Sequence, residues 1–259
     1  MILLVGGQGF VGSAFRRLCA ARGIPHESIT RDSYRGAVGR AGTILVYAAG
    51  NSRKYLAEQN WQADFEASVE AVVRSIQHFH VDRYVLISSV DVYDALDDPL
   101  RNHEDAVIDP LRLSTYGFHK YVAESSVRRH APRWLIVRLA GMVGPGLKKN
   151  PVFDVLHGRP LSIHPDSQYQ FMPTDAVADI VWKLIDAGWE NRVVNLCGSG
   201  LISPREIAEI AAKPLVLAAG ARDAAPRIVH INTRLAETVA AMPDTRTTIA
   251  DFVGAEAPA

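Results

Sequence analysis

The chain has 259 residues, 48% of them hydrophobic, which suits one domain with a large core better than two full ones. Its 28 lysines and arginines balance 28 aspartates and glutamates, so no net field draws it to nucleic acid or to an anionic membrane surface. A small molecule is the expected partner.

Met1 leads into a strand, Ile2–Val5, with no basic or long apolar leader, and no apolar stretch reaches spanning length; a cytoplasmic protein is expected. A helix over about Gly12–Arg22 follows, then strands near His26–Thr30 and Thr43–Ala48. Phe65, Val69, Val72, Val73 and Ile76 recur at helical spacing and predict a helix from about Asp64 to Phe79, before a strand over Tyr84–Ser88. This alternation predicts an α/β fold, a parallel sheet with helices on both faces. Polar, proline-bearing residues from Asp94 to Leu113 read as a loop placed to lie over a site.

Beyond it come a helix near Tyr116–Arg129 and a strand at Trp134–Leu139, after which Gly141, Gly144, Pro145 and Gly146 break regular structure. A short helix at Phe153–Leu156, a strand at Leu161–Ile163, a helix at Thr174–Ala187 and a strand at Val193–Leu196 are expected next. Ser203, Pro204 and Glu206 form a capping-box pattern that opens another helix. The tail after Ala255 is expected to fray. Cys19 and Cys197 read as buried, reduced thiols, and no histidine or cysteine spacing calls for a metal.

Gly6, Gly9 and Gly12 lie between the first strand and the first helix, as G-x-x-G-x-x-G. Glycine there permits the tight turn and lets backbone N–H groups approach a pyrophosphate at the helix N-terminus, beginning with Phe10 and Val11. Tyr116 and Lys120, one helical turn apart, share a helix face, so the ammonium can lie by the phenol and favour phenolate. Upstream, Ser88-Ser89-Val90-Asp91-Val92-Tyr93 ends a strand, where Ser88 and Ser89 point to opposite faces.

With the glycine turn, these residues resemble the extended short-chain dehydrogenase/reductase family, and more narrowly its NAD-dependent epimerase/dehydratase branch. The likeness implies one Rossmann-like, doubly wound unit over 1–259, with a substrate region built mainly from about 141–175 and 198–255. It implies NADP or NAD as cofactor and, as substrate, a secondary alcohol or ketone of a sugar, possibly a nucleotide sugar. Tyr116, Lys120 and Ser89 are then the catalytic set: Tyr116 moves the proton, Lys120 also bonds the nicotinamide ribose, and Ser89 holds the reacting oxygen. Ala48, Ala49 and Gly50 lie against the cofactor.

Asp91 stands where dehydratases carry an acidic residue in a Thr-Asp-Glu run, but Val90 precedes it here and the full acidic pair is absent, which argues against water elimination; Asp91 is a candidate to meet substrate as an extra acid or base, or else bonds backbone at the strand end. His119 is expected at the surface. Gly141 and Tyr169 stand where the family often has an asparagine and a diphosphate-binding arginine, and Lys148 and Lys149 are candidates to replace that charge. Only a short stretch separates Arg31 from Thr43, so the family's third strand is expected to be short or missing. A homodimer through the Asp64–Phe79 and Tyr116–Arg129 helices is implied. Two rival readings stay open: a one-way NADPH-dependent carbonyl reductase, and a non-catalytic dinucleotide-binding regulator or redox sensor.

Arg31 follows the second strand where an acidic residue would select NAD; its guanidinium suits the 2′-phosphate of NADP, while Asp32 keeps NAD in play. Arg31→Ala should weaken NADP much more than NAD by titration calorimetry. Equal affinities for the two cofactors, before and after the change, would remove that role.

Overall fold

The computed structural model describes residues 1–256. Strand β1 (Ile2–Val5) is buried at all four positions, as a run of aliphatic side chains without polar alternation requires: such a strand is covered on both faces. It pairs in parallel with β2 (His26–Ile29) on one side and β3 (Ala41–Tyr47) on the other. Next come β4 (His80–Ser89) and β5 (Arg133–Leu139), then β6 (Gly141–Val143) and β7 (Phe171–Pro173), which form a separate two-stranded sheet, and finally β8 (Arg192–Leu196). The main sheet has six parallel strands in the order β2-β1-β3-β4-β5-β8.

Helices cover both faces. On one side α1 (Gly12–Ala21) packs against a helix over Thr174–Asp186 through Phe15, Leu18, Val177, Val181 and Leu184. Between them in the chain lie α2 (Tyr34–Ala37), α3 (Lys54–Gln59), α4 (Trp61–Phe65), α5 (Ala71–His78), α6 (Thr115–His130) and α7 (Pro151–Leu156), so the Thr174–Asp186 helix is α8. The opposite face is covered by α5 and α6 through Val72, Ala123 and Val127. Because the chain crosses from β1 to β2 on one side and returns to β3 on the other, a crevice opens at the carboxyl ends of β1 and β3.

The stretch after Arg31 forms only α2 and a turn before β3, so the sheet ends at β2 and the third strand of the wider family is missing. The remaining helices are α9 (Pro204–Ile210), α10 (Arg234–Glu237) and α11 (Thr245–Glu256). Ser203 opens α9 with both bonds of the capping box: its hydroxyl accepts from the Glu206 amide and its own amide donates to the Glu206 carboxylate. A second core of Val143, Val152, Phe171, Ile207 and Ile249 joins β6, β7, α7, α9 and α11. Apart from Glu256, which ends α11, the tail expected to fray lies outside the described residues.

Three expectations need correction. Leu161–Ile163 is not a strand; Leu161 makes a single bridge to Leu217. Regular structure resumes instead at Gly141, where β6 runs so close to β7 that a Cβ would sit 2.6 Å from the Gln170 carbonyl and the Phe171 ring. The expected Asp64–Phe79 helix exists, but a π turn at Glu66–Glu70 rotates its face, so Asp64, Ser68 and Ser75 are buried beside Val69 and Val72 while Phe65, Val73 and Ile76 are only half-buried.

Behind the sheet edge, Arg138 and Glu124 are wholly buried and share a bidentate pair at 2.7 Å, with Ser88 and Tyr93 completing the network. Removing one partner strands the other charge in the core, so Glu124→Ala should cost about 3–5 kcal/mol. Arg128, exposed where it reaches the same carboxylate, should cost about 0–1 kcal/mol as Arg128→Ala. Urea unfolding reads both; a Glu124→Ala protein as stable as the native one would contradict this account of the core.

Candidate active site

Where β1 ends, Gly6 turns with φ 82°, and a Cβ on it would lie 2.9 Å from the backbone of Ala48 and Ala49 at the end of β3. Gly12 presses on the Gly6 carbonyl, which leaves no room for any side chain. The turn closes through the Gly9 amide bonding Gly6 O at 2.8 Å, whereas the amides of Phe10 and Val11 bond nothing among the described residues. No side chain caps α1. This is a shallow cradle of free N–H groups at a helix N-terminus, and it fits a pyrophosphate. Arg31 lies exposed just past β2, with no ion pair among the described residues.

Strand β4 delivers Ser88 and Ser89 to opposite faces: the Ser88 hydroxyl donates to Glu124 at 2.6 Å and that of Ser89 to Asp91 at 2.8 Å. Helix α6 starts at Ser114, whose hydroxyl accepts from the Gly117 amide. Gly117 packs so tightly on the Asp91 carbonyl that a Cβ would overlap it, and this close approach brings the Tyr116 phenol up to Ser89. Lys120 follows on the same face, its amine 5.5 Å from the Tyr116 ring centre and beside Gly50. The two side chains are 6% and 9% exposed, and Lys120 makes no hydrogen bond or ion pair among the described residues. A buried ammonium with no protein partner fits a ligand that supplies oxygen atoms, as a ribose would.

Electrostatics differ from the expectation for the phenol. Burial pushes Tyr116 well above the ordinary tyrosine value, Asp91 and Asp64 push it further, and the Ser89 hydroxyl only partly opposes them. Burial also lowers the Lys120 amine, against the pull of Asp64, Glu124 and Asp91. The cation expected to make phenolate is itself weakened by desolvation, so the resting site holds a neutral phenol.

Asp91 is also more than a backbone contact. Lys54 reaches its carboxylate at 2.6 Å, Arg227 at 2.8 Å, and Ser89 donates to it as well. Burial raises its pKa, but Lys54 and Arg227, helped by bonds from Lys54 and Ser89, bring the net value below the usual carboxylate range. Asp91, Lys54 and Arg227 line a cavity of about 380 Å³ that also meets Asp94, Arg112 and Leu113, so the Asp94–Leu113 loop does form part of the wall.

Sequence reasoning missed Lys54 and Arg227, which enter from α3 and from a late loop; nothing in their local spacing marks them. Arg227 bonds Ser167 and Gln168 through its backbone; burial raises the Tyr169 phenol and Arg227 partly opposes that, so a positive charge stands beside Tyr169. Lys149 donates to the Ser52 carbonyl, and its amine is pushed down to about 8, by partial burial first and then by Arg53, Lys54 and Lys120. Lys148 is exposed, away from any such contact. Gly141 serves the β6–β7 approach described above. His119 corrects another expectation: it is buried, with Nδ1 2.6 Å from Asp64, because α4 covers that side of α6.

A glycine turn with free amides at the switch point and a serine, tyrosine and lysine at the end of β4 and on α6 fit a dinucleotide-dependent enzyme class. The model of the NAD dependent epimerase/dehydratase family matches residues 40–197, more than half the chain, and the chain belongs to that family. Among curated proteins none matches it. Of solved structures, MoeE5 in complex with UDP-glucuronic acid and NAD is similar at TM-score 0.81 and 20% identity, over 98% of this chain and 97% of that one. The UDP-glucose 4-epimerase of Thermus thermophilus in complex with NAD follows at 0.78 and 17%, over 98% and 97%. RMD from Pseudomonas aeruginosa complexed with NADPH gives 0.76 and 20%, over 99% of each chain. At these identities the likeness establishes the fold. No helix of the described residues is long and apolar enough to cross a membrane.

An anion beside Lys149 binds best while that amine is protonated, so its affinity should fall as pH rises through about 8. Sulfate serves as probe, read by its effect on Tm between pH 7 and 9 in native protein and in Lys149→Met. The native protein should lose the effect across that range and the variant should show little at any pH; identical profiles would contradict an anion site here.

Proposed function

We propose that the chain is an NAD(P)-dependent epimerase or oxidoreductase acting on a secondary alcohol or ketone of a sugar, carried on a nucleotide. The observation that supports it most is the meeting of the Tyr116 phenol, the Ser89 hydroxyl and the Lys120 amine beside Gly50, one strand from the glycine turn. A bound nicotinamide dinucleotide supplies the hydride acceptor or donor. Gly6, Gly9, Phe10, Val11 and Gly12 hold its pyrophosphate, Arg31 meets a 2′-phosphate, Ala48, Ala49 and Gly50 form the floor, and Lys120 holds the ribose. Ser89 positions the reacting oxygen and Tyr116 carries the proton.

Lys149 and Arg227 supply the charge for a nucleotide diphosphate, with Gly141, Lys148 and Tyr169 in the surrounding segments 141–175 and 198–255. A nucleotide sugar carries constant negative charge, which suits the convergence of Arg53, Lys54 and Lys120 on Lys149, with Arg227 nearby on Asp91.

The reductase reading gains from one observation. A phenol held neutral by burial and by two carboxylates is ready to give a proton to an oxygen that gains charge as a ketone is reduced. Oxidation needs the same phenol ionised, which a positively charged ring nearby would favour.

Turnover of a panel of nucleotide sugars with each cofactor tests the proposal. Tyr116→Phe should lower kcat by about 10²–10⁴-fold while cofactor affinity, read by quenching of protein fluorescence, stays within a factor of about three. Unchanged turnover would refute the assignment, and a native protein that binds the cofactor but turns over no sugar would favour the regulator reading.

A further inference from the structure

Three buried carboxylates act on the Lys120 amine: Asp64 from α4, Glu124 from α6 itself and Asp91 from the turn after β4. Two of them already have cations. Glu124 is paired with Arg138 and touched by Arg128, and Asp91 is shared by Lys54 and Arg227. Asp64, 3% exposed, touches neither lysine nor arginine among the described residues. Its Oδ1 accepts from the Asn51 amide at 2.7 Å and from the Ser68 hydroxyl at 3.2 Å, while its Oδ2 meets His119 Nδ1 at 2.6 Å. Burying one carboxylate and one ammonium separately would be far costlier than burying them together, and neither Asp64 nor Lys120 has a lysine, arginine or carboxylate in contact among the described residues, so each is assigned to the other; His119, at 2.6 Å, is the one other group that can carry charge against Asp64.

The geometry agrees. A Cβ on Gly50 would meet the Lys120 amine at 3.7 Å and the Ser68 hydroxyl at 3.9 Å, so the hydroxyl that bonds Asp64 and the amine face one point. The π turn at Glu66–Glu70 is what carries Ser68 there, and such turns recur at functional sites. Asn51, while bonded to Asp64, also accepts from the Arg53 amide at 2.8 Å, which ties the loop after β3 to the same carboxylate.

We propose that Asp64, held by Asn51, Ser68 and His119, is the buried counter-charge of Lys120 and the residue that positions it toward the cofactor. The proposal rests on the reading of Lys120 as a cofactor-holding amine, but the charge coupling it asserts holds or fails without any turnover. Asp64 is a positioning residue, since it reaches the chemistry only through Lys120. The other charged or titratable groups facing that amine are Tyr116 and Glu124 on α6, Asp91 after β4 and Lys149 before α7.

The test is acylation of the native protein and of Asp64→Asn by acetic anhydride across pH 6–11, with the Lys120 peptide followed by mass spectrometry. In Asp64→Asn the midpoint for Lys120 should fall by a pH unit or more, about tenfold more acylation at a fixed pH below it. His119→Asn, which keeps a donor where Nδ1 stands, should leave the midpoint unmoved. A midpoint unchanged in Asp64→Asn overturns the proposal. Should that variant not fold, Lys120→Met and Asp64→Asn/Lys120→Met decide: coupling predicts that the double variant folds, with a urea midpoint at or above that of Lys120→Met. A double variant that is unfolded while Lys120→Met folds would make Asp64 a structural anchor and overturn the proposal. If the native protein binds neither NADH nor NADPH, the cofactor reading fails by itself and the acylation result still stands.

Discussion

The Tyr116 phenol is packed against Ser89 and under the Lys120 amine, almost sealed from water, and both catalytic readings of this chain depend on that contact. It exists because Gly117 lets α6 press onto the backbone of Asp91 at the end of β4. Sealing the phenol has an electrostatic cost. Desolvation keeps it protonated and weakens the neighbouring ammonium, so catalytic competence depends on what the bound cofactor and the buried carboxylates add.

Charge at this edge of the sheet is arranged in matched sets. Arg138 and Glu124 lock α6 to β5 from behind, and Lys54, Asp91 and Arg227 tie α3 and a late loop to the end of β4. The second set joins segments far apart in sequence across one cavity, so its residues feel both the N-terminal sheet and the C-terminal segments.

Much of this was legible in the sequence. Hydrophobic runs and glycines located the strands of the main sheet, and the brevity of the stretch after Arg31 foretold the lost strand. Alternation along β4 separated Ser89 from Ser88, whose hydroxyls do face different partners. What the sequence did not show has physical reasons. Lys54 and Arg227 act through tertiary contact alone, and His119 looked like a surface residue because helical spacing cannot reveal that α4 covers it. A π turn shifts the buried face of Asp64–Phe79 by an amount no regular period contains. At Gly141 a tight strand approach and a turn call for the same residue, so β6 was hidden.

The most direct measurement is a crystal structure of the protein grown with NADPH and, separately, with NADH. The account predicts a dinucleotide whose pyrophosphate lies on the amides that follow Gly9 and whose nicotinamide ribose is bonded by the Lys120 amine, with the Tyr116 hydroxyl at the open side of the ring. A dinucleotide bound elsewhere, or a glycine turn left empty at saturating concentrations of both, would contradict it.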